Sequence, residues 1–365
     1  MSRVSLPVTV RMAVPALSVA AVLGGCTSVP SAAEFRNTSA VLETPQGHHS
    51  ATDGRARFRQ IFCQVALHER TADDPQCEST LWRLHDETVV PAVMPLPPVR
   101  TDLRLVIVPG ALNDCFGPDA QPFADGIDSL RSQGVRVDYA PVSGRSSAAH
   151  NARQLADFLG APDFRDSDRI VMLGYSKGAV DIVEFLSDYP ELAARVTGVV
   201  SVAGPMWGSP LADSGEWFYR HVMSHTYTKR CAPGDSGLVH SLRPDVRAQW
   251  QQEHSLPAGI DFYFVGAFTT SDHLARGFRP MWRSLAKTEK RNDGQVRIGD
   301  DVQPGATLLG YANADHWGVA LKIERELDFL GKREASNNFP QQALLRAIWL
   351  FVGETLPPLP PAAGP

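Results

Sequence analysis

Three short stretches carry side chains that could do chemistry together: a serine between glycines, Gly174-Tyr175-Ser176-Lys177-Gly178; a carboxylate in a turn, Asn292-Asp293-Gly294; and a histidine in Asp315-His316-Trp317-Gly318. A serine hydroxyl is a weak nucleophile at neutral pH, so it needs a base to take its proton and a geometry that exposes it. The surroundings of Ser176 offer that geometry. An apolar run, residues 169–175, leads straight into it, and an amphipathic stretch, residues 177–190, follows with Ala179, Ile182, Val183 and Leu186 on one face. A serine at such a strand-to-helix corner is held in strained backbone angles, and small residues two positions to either side let the chains approach. The following helix directs the positive end of its dipole at the corner, where negative charge would develop. Ser176 is therefore expected as a nucleophile; the competing reading is a plain glycine turn whose serine caps the helix.

The elements around this corner alternate. Strand patterns at 103–110, 135–142, 169–176, 196–204 and 259–268 are separated by helix patterns at 121–134, 147–160 and 177–190, and a last helix covers 339–356. Alternation of this kind predicts an α/β fold, with a mostly parallel sheet covered by helices on both faces. Upstream, Phe58, Ile61, Phe62 and Val65 fall at helical spacing within residues 56–67, and a second helix is expected over 79–86. The proline-rich stretch 91–100 is a spacer. Residues 212–258 interrupt the alternation, and an insertion there lies over the carboxyl edge of the sheet as a mobile lid or a rigid cap, with Trp217, Phe218, Tyr219 and Trp250 as apolar material. The basic loop 269–291 is expected as another wall.

The elbow, the strand end "VIVPGAL", the segment "SVAGPMWGSPLAD" and the pair "NDGQV" and "NADHWGV" together resemble the α/β-hydrolases, and within them the bacterial secreted lipases, over about residues 103–352. The resemblance implies the chain order serine, acid, histidine. Of the histidines after Ser176, namely His221, His225, His240, His254, His273 and His316, all but His316 fall in irregular or inserted regions; His316 is the expected base and His273 the runner-up. Asp293 is the expected acid, which would hold the imidazole in its useful tautomer, with Asp300, Asp301 and Asp315 as competitors. An oxyanion hole needs two N–H donors. One is expected from Lys177; the family match gives Ala111 as the second, with Leu112 as the neighbouring candidate. Pro109 stands where the family has a histidine. These matches imply a serine hydrolase that cleaves carboxylic esters through an acyl-serine, acting on a small-molecule or lipid ester. The alternatives are a catalytically silent envelope scaffold on the same fold, or a thioesterase or acyltransferase with the same three residues.

The 365-residue chain is 43% hydrophobic with a net charge of -5, so it can bury a large core but offers no basic field for nucleic acid. No HExxH, no paired CxxC and no glycine-rich dinucleotide fingerprint occurs, so no metal and no cofactor is expected. The N-terminus carries Arg3 and Arg11, then an apolar run from Met12 to Leu23, the pattern of an export signal. Leu23-Gly24-Gly25-Cys26 resembles the lipobox of bacterial lipoproteins, which implies cleavage before Cys26, lipidation of its thiol and membrane anchoring. Thr27 in place of the aspartate of inner-membrane retention favours the outer membrane. An ordinary secretory signal is the competing reading. The other four of the five cysteines suit two disulfides in an oxidising compartment. Cys63 with Cys77 and Cys115 with Cys231 are the expected pairs. The organisation expected is thus a signal at 1–25, a flexible tether at 26–54, a helical segment and spacer at 55–99, the catalytic domain at 100–355 and a disordered tail at 356–365.

Overall fold

The computed structural model describes residues 30–47, 50–69, 76–116, 121–218, 233–271, 273–322 and 339–358. Among these residues, β1 (Thr52–Asp53), β2 (Leu103–Val108), β3 (Arg136–Tyr139), β4 (Arg169–Tyr175), β5 (Val196–Val202), β6 (Asp261–Ala267) and β7 (Thr307–Ala312) form one sheet in the order β1-β7-β6-β5-β4-β2-β3. Every neighbouring pair is parallel. Because successive side chains on a strand point to opposite faces, two cores form. Leu103, Leu105 and Ile107 of β2 join Val171, Leu173 and Tyr175 of β4 on one face, under helices Arg55–Glu69, Ala124–Ser132 and Gln341–Thr355. Val106 and Val108 join Ile170 and Met172 on the other, under helices Ala148–Leu159 and Lys177–Asp188. Strands covered on both faces read as continuous apolar runs, as these do. This is the α/β-hydrolase architecture.

The elbow is tightly packed. A Cβ placed on Gly178 would lie 2.1 Å from the Val108 carbonyl oxygen, and one on Gly174 would lie 2.4 Å from the Ala179 Cα. In an ordinary helix Gly→Ala gains up to about 1 kcal/mol. Here the methyl would push β2 off the elbow, so Gly178→Ala is expected to cost about 3 kcal/mol instead, measured as a lower midpoint in urea unfolding.

Several expectations need correction. The segment foreseen as a flexible tether is folded at its described residues: Ser31 caps helix Ala32–Arg36 through a reciprocal bond pattern with Glu34, and Phe35 is buried edge-on against Trp82 and Phe268. It uses single anchors rather than a periodic stripe, so nothing periodic betrays it. The second helix is only Cys77–Thr80; Leu81 is extended and makes an antiparallel bridge to Ala312, and residues 85–87 form a turn. The buried Arg59 guanidinium holds this stretch, donating to the carbonyls of Leu81 at 3.1 Å and Trp82 at 2.7 Å while pairing with Glu87.

The described arms of the insertion are fastened down. Met206, Trp207 and Trp250 pack on Ala179 and Val183 of the elbow helix, and the buried Arg247 stacks on Trp250 and reaches Glu184 at 3.4 Å. Asp235 accepts from the Ser147 amide at 2.8 Å. Tyr219, His221, His225 and Cys231 lie outside the described residues, as do Cys26, the export signal and the tail from 359 on. Cys63 and Cys77 form the expected disulfide. Cys115 is disulfide-bonded too, and its expected partner is one of the residues not described. No described helix is long and apolar enough to cross a membrane.

Candidate active site

The carboxyl edge of the sheet brings the three sequence candidates together. Ser176, directly after β4, has φ 53° and ψ -128°, and its N–H donates to the Val202 carbonyl of β5 at 2.9 Å. A serine at positive φ is strained, and such strain persists only where the surroundings over-determine it. His316 stands on the loop that follows β7. Its Nε2 lies 2.8 Å from Ser176 Oγ and its Nδ1 2.7 Å from Asp293 Oδ2. Asp293 Oδ1 accepts the amides of Gln295 at 2.8 Å and Val296 at 2.7 Å, so both carboxylate oxygens are engaged. All three residues are buried, with Ser176 the most exposed at 8%.

Two devices hold the histidine. Its amide donates to the Asp293 carbonyl at 2.9 Å, and the Tyr175 hydroxyl donates to its carbonyl at 2.7 Å. The acid turn lies in a small hairpin closed by an Asn292–Arg297 bridge. Around it packs the basic loop foreseen as a wall: Phe278 meets Trp317 edge-on at 4.5 Å, and Ala275 N–H donates to Asp315 Oδ2 at 2.9 Å. It is a buttress for the acid and histidine loops.

The competitors are engaged elsewhere. His273 is exposed and lies 3.2 Å from Thr270 Oγ1. Asp300 pairs with Arg297 at 2.7 Å. Asp315 accepts from Ala275 and Gly318 in the loop beneath His316, and burial raises its pKa. Asp301 is buried, accepts from Gly299 N–H at 2.9 Å, and is pushed up to about 7, first by burial and then by the neighbouring Asp300 and Asp293 carboxylates. The folded protein therefore keeps a proton on Asp301 that the unfolded chain releases near its ordinary value of about 4. Stability is full below that pH, falls as pH rises toward 7, and is level beyond. Asp301→Asn is expected to remove this component, seen as a smaller difference between urea midpoints at pH 5 and pH 8.

Of the two candidate donors on the turn after β2, Leu112 is corrected: its N–H donates to the Gly144 carbonyl at 2.7 Å. The N–H groups of Ala111 and Lys177 make no hydrogen bond among the described residues. Among those residues the one thiol and carboxylate cluster of metal-ligand spacing is Cys63, Cys77 and Glu78, and its two sulfurs are joined to each other.

A metagenomic carboxyl esterase of known structure, MGS0156, superposes on this chain with a TM-score of 0.78 and 34% identity, over 88% of this chain and 98% of that one. The chain belongs to the same α/β-hydrolase family. A lipase from Staphylococcus hyicus, 14% identical, shares the fold with a TM-score of 0.52 over 72% of this chain and 98% of its own. No protein-family model matches, and no curated relative does.

Three buried residues beside the elbow of this α/β-hydrolase, Tyr175, Asn151 and Asp181, are not among the sequence candidates. Asp181 is four positions from Lys177, a helical ion-pair spacing that could have revealed it. Tyr175 and Asn151 carry no local signal.

Proposed function

We propose that this protein is a serine hydrolase of carboxylic esters. The observation that carries the reading is the unbroken line from Ser176 Oγ through His316 to Asp293, at 2.8 Å and 2.7 Å, in which the nucleophile sits on a strained elbow. A serine that only capped a helix would be expected to bond that helix's own amides, whereas the Ser176 side chain makes no such bond. The likeness to a carboxyl esterase supports the choice of ester over other acyl substrates.

In the mechanism, Ser176 Oγ attacks the ester carbonyl carbon while His316 Nε2 takes its proton. The carbonyl π electrons move onto oxygen, and the N–H groups of Lys177 and Ala111 receive that oxyanion. As the intermediate collapses, the C–O bond to the alcohol breaks and His316 gives the alcohol oxygen its proton. Water then enters, loses a proton to His316 and attacks the acyl-serine; the same steps in reverse free Ser176 and the carboxylic acid. Asp293 accepts from Nδ1–H throughout and so keeps the imidazole oriented.

The test is a p-nitrophenyl ester series of increasing chain length combined with fluorophosphonate labelling. Turnover and labelling of one serine are expected, with the preferred chain length reporting the acyl pocket. A folded protein inert toward both would overturn the reading in favour of a silent scaffold.

We also propose an exported, lipid-anchored form, cleaved before Cys26, held in the outer membrane and closed by a second disulfide from Cys115 to Cys231. The support is the apolar run ending at Leu23-Gly24-Gly25-Cys26. Label from an alkynyl palmitate is expected on the wild type and lost in Cys26→Ser; label retained by that variant would overturn the anchor.

A further inference from the structure

Lys177 gives the mechanism only its backbone N–H, yet its side chain is fully buried and paired with Asp181, which is just as buried. Putting two charges out of water there is costly, and the pair does not stand alone. Asp181 Oδ2 accepts from Asn151 Nδ2 at 2.7 Å, and the same Nδ2 donates to the Ser143 carbonyl at 3.0 Å. The next carbonyl, that of Gly144, takes the Leu112 N–H at 2.7 Å, and the Gly144 amide donates to Asp114 Oδ1 at 3.2 Å. Leu112, at φ 62°, is the residue directly after Ala111.

Traced through, these bonds form one line. It starts at the side chain of the residue whose amide is one oxyanion donor and ends at the peptide beside the other donor. The two amides sit on separate elements, the elbow helix and the turn after β2, which abut where Gly178 meets the Val108 and Pro109 carbonyls and Gly110 meets Ser176; the network ties them a second time, through Leu112. Resting on the serine-hydrolase reading above, we propose that Asn151 and Asp181 are positioning residues that set the spacing of the two oxyanion-hole amides. Asn151 suits the task because its two amide hydrogens serve two acceptors on different elements. An aspartate of the same shape would set oxygen against oxygen at both. Leu112 thereby regains a role: its N–H does not meet the substrate but ties the turn to the network.

Catalysis is sensitive to such spacing, since a shift of about 1 Å in a positioned group can cost a hundredfold in rate. The experiment compares wild type with Asn151→Ala, Asn151→Asp and the apolar double variant Lys177→Met/Asp181→Leu, which removes both charges at once. The readouts are kcat, KM and inhibition by an aryl trifluoromethyl ketone, whose serine adduct places an oxyanion in the hole. Each folded variant is expected to lose about ten- to a hundredfold in kcat, with KM within about twofold, and to bind the ketone more weakly by the same factor as kcat falls. If Asn151→Ala or Asn151→Asp does not fold, the double variant carries the comparison. Wild-type kcat and ketone affinity in any folded variant would overturn the positioning role. So would a rate loss that only tracks the unfolded fraction, with ketone affinity of the folded protein unchanged. A wild type inert to esters and to the ketone would instead remove the serine-hydrolase reading on which this one stands.

Discussion

Ser176→Ala is expected to lower kcat on a p-nitrophenyl ester by about a millionfold and to abolish fluorophosphonate labelling, while leaving the fold intact. The elbow makes a second, opposing effect measurable. Ser176 holds φ 53°, a conformation that glycine adopts freely and any residue with a Cβ adopts at a cost of about 1 kcal/mol or more. Ser176→Ala keeps the Cβ and hence the strain, and loses one hydrogen bond to His316. Ser176→Gly sheds the strain as well as the nucleophile, so it is expected to be as inactive as the alanine variant but more stable, by about 1 kcal/mol in urea unfolding. Activity and stability moving in opposite directions would identify strain held for function. A glycine variant less stable than the alanine one would show that the elbow conformation carries no such strain.

What the sequence disclosed follows from how each part is held. The elbow was legible because its requirements are local: a buried strand, glycines at 174 and 178 and an amphipathic helix all lie within one short stretch. Asp293 and His316 were legible as turn and loop residues in family order. Their meeting depends on β7, which no expectation included, although Thr307–Ala312 is apolar and leads directly to the histidine loop. The run is short, and its Gly310 faces Phe58 of a helix more than two hundred residues away, a packing reason that no local pattern contains. The folded part of 30–54 was hidden for a similar cause. Phe35 finds its partners at Trp82 and Phe268, and β1 has only two residues, too few to show a period.

The choice between Ala111 and Leu112 was likewise beyond reach. Two adjacent amides of one turn differ only in where they point, and it is a carbonyl from the distant Gly144 loop that takes the N–H of Leu112. Residues recognised by chemical type were thus found, and residues recognised only by a distant partner were not. Asn151 and Asp181 belong to the second class, which is why the support beneath the oxyanion site came from the fold alone.

Asp293→Asn separates charge from geometry at the far end of the catalytic line. The carboxylate's Oδ1 is fixed by the amides of Gln295 and Val296, both of which are donors. In the variant those donors will keep the amide oxygen facing them, since the alternative sets NH2 against two N–H groups. The amide nitrogen must then face His316 Nδ1. A donor in that position selects the tautomer with its lone pair on Nδ1 and its proton on Nε2, which leaves Nε2 donating to Ser176 Oγ and unable to accept its proton. The expected result is a fall of about ten-thousandfold in kcat with KM nearly unchanged, in a protein whose size, side-chain volume and backbone bonds are preserved. Because the lost function is proton acceptance at Nε2, the residual rate should rise with pH wherever hydroxide can stand in for the base, and fluorophosphonate labelling should slow in parallel with kcat. Asp293→Ala is a weaker probe, since it also strands the buried Val296 amide, at a cost of about 1–3 kcal/mol, and leaves the half-buried Gln295 amide without its acceptor. An asparagine variant within tenfold of wild type would assign the acid to another carboxylate, and Asp315, directly beneath the imidazole loop, is the residue to substitute next.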